Sequence, residues 1–333
     1  MKRWITILLL ALLLAGVGMA AERLPLWPGT GIRQSADRTS EPLEDFQSYR
    51  ERTSGEAEAD PEEPEDPAPS DGGTSAMDSV SGALLSEDMS DYEKVKTIHD
   101  HLVVTVDYDY EGLASGSLPD SVYTAEGALI HHLAVCEGYA RAFGWLCDQA
   151  GLENLLVFGT ADDGTGVQSH AWNQVRVDGV WYNVDVTWDD PLVNGQVVTD
   201  GSNLSYAYFL VPDSTLSGTH TAENPEELHA CTDSRYLEEN RRLTIEPYLQ
   251  EPCRFLSSDQ ETADAIRSCL SSGSFSFQLV FDAGEEQAEQ KLTLVLNEAQ
   301  SVMQELSLYG QISAQVQYGI AGYAVVSVTV SAD

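Results

Sequence analysis

Positive charge is scarce in this chain of 333 residues. There are 17 lysines and arginines against 54 aspartates and glutamates, a formal net charge of −37. Phosphate binding needs a basic footprint, so nucleic acid is excluded as an expected partner. An acidic chain stays soluble and favours cationic partners, although a solvated surface accounts for the charge equally well. No cysteine precedes Cys136, which excludes a lipid-modified cysteine near the start. Beyond residues 4–20 no apolar run is long enough to span a bilayer. The 42% hydrophobic content is that of an ordinary globular protein, with length for two or three domains.

The chain starts with Met1-Lys2-Arg3 and the apolar run 4–20, and Gly18 and Ala20 are the small residues of a cleavage site before Ala21. Residues 1–21 therefore read as a secretory signal, with a retained membrane anchor as the alternative. The expected location is secreted or extracytoplasmic, with membrane or cell-wall proximity through the N-terminus. Residues 22–81 read as an acidic linker. Residues 55–71 (GEAEADPEEPEDPAPSD) hold many acids, several prolines and no base. Such a segment buries too little apolar surface to offset its ordering entropy, so a disordered tether is expected.

Order is expected from about residue 82. Ser90-Asp91-Tyr92-Glu93 is a capping box, followed by the stripe Val95, Ile98 and Leu102. Cys136, Ala140, Phe143 and Cys147 recur at helical spacing, with Gly151 as a left-handed cap, so Cys136 falls in the first turn of a helix. Unpaired backbone N–H groups there favour a thiolate and can hold an oxyanion. A buried cysteine is also a small hydrophobe, and the helix alone does not separate the two readings.

The second pattern is a hairpin. Residues 170–177 and 180–187 alternate as strands around Asp178-Gly179. A two-residue turn makes paired residue numbers sum to 357, so Trp172 faces Asp185 and His170 faces Thr187. His170, Trp172, Asp185 and Thr187 then share a face, with His170 and Asp185 as diagonal neighbours within hydrogen-bond reach. Cys136 against that face would supply a nucleophile, His170 a base and Asp185 its orienter.

Three blocks carry a resemblance. Val135-Cys136-Glu137-Gly138-Tyr139-Ala140, His170-Ala171-Trp172-Asn173 and Asp178-Gly179-Val180-Trp181-Tyr182-Asn183-Val184-Asp185 with Val186 to Pro191 are similar, in this order, to the transglutaminase-like superfamily, related in design to papain-type cysteine peptidases. It covers roughly residues 85–240. The resemblance implies an α+β fold with a papain-like core, a nucleophile helix packed on an antiparallel sheet. It implies Cys136, His170 and Asp185 as the catalytic residues. It leaves the reaction open, since members cross-link glutamine to lysine, hydrolyse peptides or amides, or have lost catalysis.

Around this centre, Trp172 and Trp188 are expected to pack against the His–Asp pair and exclude water. Papain-like enzymes place an oxyanion donor upstream of the nucleophile. Here Ile130 stands six before Cys136, so no glutamine serves, and Tyr123 is the side-chain candidate. The loop 108–119 is expected to line the groove beside Cys136. Asp189 and Asp190 read as solvating a turn or binding a substrate amine. His99, His101, His131 and His132 lack a spaced carboxylate or cysteine to finish a metal site, and Asp162 and Asp163 are too few acids for calcium. No metal and no cofactor are expected.

From residue 241 a small α+β domain of unknown role is expected. Phe275, Phe277, Leu279 and Phe281, then 312–316 and 324–330, alternate as strands. Ala288, Leu292, Val295, Ala299 and Val302 form a helical stripe. Of five cysteines, Cys231, Cys253 and Cys269 allow one disulfide, with the pairing open. The domain plan is thus 1–21, 22–81, 82–240 and 241–333. The expected function is a cysteine enzyme acting on protein or peptide amides through a Cys136 thioester, hydrolysis favoured over glutamine–lysine cross-linking. A non-catalytic cell-surface binding or scaffold protein on the same fold is the alternative.

Overall fold

The computed structural model describes residues 72–164, 166–190 and 204–331. The expected signal or anchor, and the linker up to residue 71, lie outside them. Two compact units divide the described chain, the first ending at Thr244 and the second beginning at Ile245.

The first unit begins earlier than the sequence suggests. Residues Gly73–Leu84 form a helix, α1, whose Met77 is buried in the core. The acid-rich composition upstream assigns this stretch to the linker, and the burial of Met77 overrides it. α2, Asp91–Thr105, starts at a complete capping box, with Ser90 Oγ accepting from the Glu93 N–H and the Glu93 carboxylate accepting from the Ser90 N–H. It buries Val95, Ile98, His99, Leu102 and Val103, one stripe at helical spacing. α3, Ala125–His131, is followed by α4, Cys136–Gln149. α4 ends where Gly151 turns left-handed (φ 72°) and the Leu152 N–H returns to the Cys147 carbonyl. Tyr139, Phe143 and Leu146 on α4 are fully buried, each contributing roughly 1.5–3 kcal/mol from lost apolar exposure.

α4 packs on a four-stranded antiparallel sheet. Its strands are β1 (Asn154–Asp162), β2 (Val167–Val177), β3 (Val180–Val184) and β4 (His220–Ala222), in the order β3-β2-β1-β4. Asp178 and Gly179 both take positive φ, 49° and 82°, as a two-residue primed turn requires. The resulting register pairs Asn173 with Val184 and Val177 with Val180, so paired numbers do sum to 357. β3 is shorter than expected. It stops at Val184 because the Asp185 N–H leaves the hairpin and donates to the Tyr208 carbonyl.

The second unit is a four-stranded sheet carrying two helices. β5 (Cys253–Leu256) runs parallel to β6 (Ser276–Asp282), and β6, β8 (Tyr323–Ser331) and β7 (Gln311–Ile320) continue antiparallel in that order. α5, Thr262–Ser271, and α6, Glu285–Glu305, share one core with Phe277, Leu279 and Phe281. Phe275 is 44% exposed and precedes β6. Mixed helix and sheet in both units make the fold α+β. All five cysteines are free, so the anticipated disulfide among Cys231, Cys253 and Cys269 is not formed.

The location expected from the sequence is corrected. Among the described residues no helix is long and apolar enough to cross a membrane, and the apolar segment that suggested secretion or anchoring lies outside them.

Candidate active site

Cys136 is the first residue of α4 and is 5% exposed. The residue before it, Val135, is the N-cap and makes no side-chain capping bond. An apolar cap leaves first-turn N–H groups without the partner a serine or aspartate would supply. Cys136 shares a small apolar cluster with Val122, Tyr123 and Val135, with Tyr108, Leu118 and Phe158 packed against it. Tyr123, the side-chain oxyanion candidate, therefore sits in the same cluster as the sulfur. Tyr108 and Leu118 bring the 108–119 segment to it.

His170 enters from β2 and is 5% exposed. Its Nε2 lies 2.6 Å from Asp185 Oδ2, and Asp185 is fully buried. Cys136 is close enough to act on the same imidazole, and Asp185 occupies its Nε2. Burial by itself would lower the His170 pKa. The Asp185 carboxylate and, less strongly, Cys136 outweigh it and raise the value to about 10. Burial likewise opposes ionisation of Asp185, but His170 and His220 hold its pKa well below the usual carboxylate range. Each partner thus favours the charged form of the other.

The Trp172 and Trp188 ring centres lie 6.1 and 5.7 Å from that of His170. A residue missed in the sequence completes the group: His220, from β4. Its Nε2 is 2.9 Å from the same Asp185 Oδ2, and its ring lies 4.5 Å from Trp188 and 5.1 Å from Trp172. No local pattern announces it, because a three-residue edge strand gives almost no alternation to read.

Asp189 and Asp190 are both tied to partners inside the fold. Asp189 is fully buried and accepts from the Tyr208 N–H at 3.0 Å and from Ser205 Oγ at 3.0 Å, with His99 Nε2 at 3.1 Å. Burial raises its pKa, more than these partners lower it. His99, grouped in the sequence with His101 and His132, is thus a core residue that ties α2 to the segment after the hairpin. Asp190 Oδ2 is 2.7 Å from the Tyr139 hydroxyl. Glu137 and Arg141, an i, i+4 pair, are both buried and joined at 2.8 Å.

His170, Asp185 and His220 also place three metal-capable atoms within 4.8 Å of one another. Their contacts are hydrogen-bond lengths, one carboxylate oxygen serves both imidazoles, and aromatic rings close over them. A cation would have to displace a proton from each Nε2. The donor chemistry therefore fits a hydrogen-bonded relay better than a coordination sphere. Asp162 and Asp163 belong to no such group among the described residues.

Residues 78–186 match the model of the transglutaminase-like superfamily, and this part of the chain is a transglutaminase-like core. The match begins inside α1, ahead of the residue-82 start expected from the sequence. The chain is 27% identical over 178 residues to a kyphoscoliosis peptidase of Mus musculus, covering 49% of this chain and 27% of that protein. It is 29% identical over 161 residues to the Homo sapiens kyphoscoliosis peptidase, covering 45% and 24%. It thus spans about a quarter of the length of these curated relatives. Among solved structures it is similar to a TGase at 18% identity and a TM-score of 0.31, covering 43% of this chain and 37% of that one.

Proposed function

We propose that this protein is a cysteine enzyme that attacks protein or peptide amide bonds through Cys136, and that hydrolysis is its main outcome. The observation that carries this reading is the buried 2.6 Å His170–Asp185 contact with Cys136 acting on the same imidazole. His170 takes the proton of the Cys136 thiol while Asp185 stabilises the imidazolium that forms, and the thiolate attacks the acyl carbon. The first-turn amide of Cys136 is placed to receive the oxyanion, since Val135 offers no competing cap. The imidazolium then gives its proton to the departing amine, leaving a thioester that water or a second amine resolves. Trp172 and Trp188 shield the imidazole from water, which strengthens its tie to Asp185. The similarity to proteins named peptidases supports peptide or protein substrates and favours water as the acceptor.

The test compares the wild-type chain with Cys136→Ala. Both are incubated with a casein-type protein and a labelled primary amine, and the products are read by mass spectrometry. Cys136-dependent cleavage or deamidation without label is the expected result. Label incorporation that needs Cys136 would replace hydrolysis by cross-linking. Identical traces, with Cys136 inert to alkylation, would overturn the enzyme reading in favour of a binding module.

A further inference from the structure

Asp185 has two imidazoles on one oxygen. His170 Nε2 and His220 Nε2 both meet Oδ2, at 2.6 and 2.9 Å, while Oδ1 accepts the Trp188 N–H at 3.1 Å. The two histidines come from strands that are not neighbours. β1 lies between them, and in its register Gly159 pairs with both His170 and Ala222, and Ala161 pairs with His220. Paired residues share a face, so His170, Gly159, Ala161 and His220 all project to one side. The two positions that separate the imidazoles carry a hydrogen and a methyl group. A Cβ at Gly159 would meet the Thr221 carbonyl oxygen at 2.2 Å and Trp172 Cη2 at 2.9 Å. This clearance lets the rings reach across a whole strand to 5.4 Å between centres.

The tautomer of His220 follows from its partner. Its Nδ1 lies 2.8 Å from Thr219 Oγ1. Burial lowers its pKa, more than Asp185 raises it, and the His170 charge lowers it further. An ionised Asp185 can only accept, so a neutral ring carries its proton on Nε2, and Nδ1 is left to face the Thr219 hydroxyl, which also lies 3.2 Å from the Leu216 carbonyl.

We propose that His220 is a positioning residue for the Cys136–His170–Asp185 site, its Nε2–H anchoring the Asp185 carboxylate and drawing off part of the charge that His170 sees. The proposal rests on the enzyme reading above and adds a fourth member to it. Two effects follow from one bond. The carboxylate cannot rotate away from His170, and its charge is divided between two donors. The titratable groups facing this pair are Cys136 on the His170 side and Tyr208, whose ring lies 5.7 Å from His220. Without His220, Asp185 would grip the His170 proton more tightly, and proton delivery to the leaving amine would slow.

The experiment follows His170 by NMR in the full chain with ¹⁵N-labelled histidine, of which there are only seven. The variants are His220→Phe, which keeps a ring without a donor, His220→Gln, which keeps a donor, and Thr219→Val, which removes the hydroxyl facing Nδ1. The expected result is a His170 titration midpoint about half to one pH unit higher in His220→Phe, since a carboxylate with one donor fewer favours the imidazolium more strongly. His220→Gln should restore the wild-type midpoint, and Thr219→Val should move it upward by less. An unchanged midpoint in His220→Phe and Thr219→Val alike would overturn the proposal and leave His220 a packing residue. Should His220→Phe not fold, His220→Leu, which also lacks a donor, is read in its place. His170→Ala serves as a separate control. If it leaves Cys136 alkylation at neutral pH unaltered, the enzyme reading fails, whatever the midpoints show.

Discussion

Asp190 should give this protein a pH-dependent stability that one isosteric substitution removes. The Tyr139 hydroxyl lies 2.6 Å from the Val106 carbonyl and 2.7 Å from Asp190 Oδ2. One hydroxyl proton cannot serve two acceptors. If it goes to Val106, Asp190 must bring its own proton and donate to the tyrosine oxygen. The surroundings agree. Burial pushes the Asp190 pKa up to about 7 from an ordinary 3.8, with the Asp107 charge adding to it against the lowering by Tyr139 and His99. An acid whose folded pKa is raised stabilises the fold most when both states are protonated, below about pH 4. That stability is lost as pH rises toward the folded value near 7. At about 1.36 kcal/mol for each pH unit between those two values the loss would be roughly 4 kcal/mol, and water at this partly exposed side chain reduces the figure to about 2. In Asp190→Asn the amide donates to the same tyrosine oxygen and does not titrate. The melting temperature of the wild type, relative to Asp190→Asn, should therefore fall by about 4–8 °C between pH 4.5 and 8. Asp189, His220 and His101, whose pKa values are also shifted, are common to both proteins, so their contributions cancel in the comparison and the difference belongs to Asp190. Parallel melting curves for the two proteins across that range would refute the reasoning, as would an asparagine variant that loses ground as pH rises.

Other outcomes follow from the same geometry. Gly138→Ala should cost about 2–3 kcal/mol in urea unfolding and slow Cys136 alkylation, since a Cβ there meets the Val122 carbonyl oxygen at 2.3 Å and the Ala134 Cβ at 2.9 Å, and α4 must shift to admit it. Asp189→Ala should lower stability by about 3 kcal/mol, because it strips a buried acceptor from His99, Ser205 and the Tyr208 N–H at once. His170, with its folded pKa raised to about 10, contributes stability that is complete below pH 6.5 and is lost as pH climbs toward 10. Asp185→Asn, which removes the charge that raises the His170 pKa, should flatten chemical-denaturation midpoints over the same interval.

The parts of the site legible in the sequence are those joined by short loops. Asp178-Gly179 fixes the register as far as Asn173 with Val184, and His170 still reaches Asp185 although Asp185 lies one residue past the strand, outside the pairing the sequence suggests. The Cys136 helix is readable because its stripe and its terminal glycine agree. His220 is not, since it depends on which strand accepts a three-residue edge, and that choice is made by tertiary contacts alone. Asp189 and Asp190 mislead for a different reason. Two acids before a proline carry the composition of a solvated turn, and only partners distant in sequence, Ser205, Tyr208 and His99 for Asp189 and Tyr139 for Asp190, draw them inward. α1 is hidden by its neighbours, because a charge average over residues 55–81 conceals a helix whose Met77 finds the core.

The pairing of β4 with β1 sets a timetable as well as a geometry. Gly159 and Ala222 lie far apart along the chain, and such contacts close late because the intervening loop must first be ordered. The hairpin that joins His170 to Asp185 closes over a two-residue turn and can form early. The second imidazole on Asp185 arrives only when residues 220–222 have emerged and found their edge. A chain still being synthesised, or one opened locally at this edge, therefore holds its sulfur, imidazole and carboxylate before the last of them is secured. The second donor on Asp185 is therefore gained only when β4 pairs with β1, and it is lost when that edge frays.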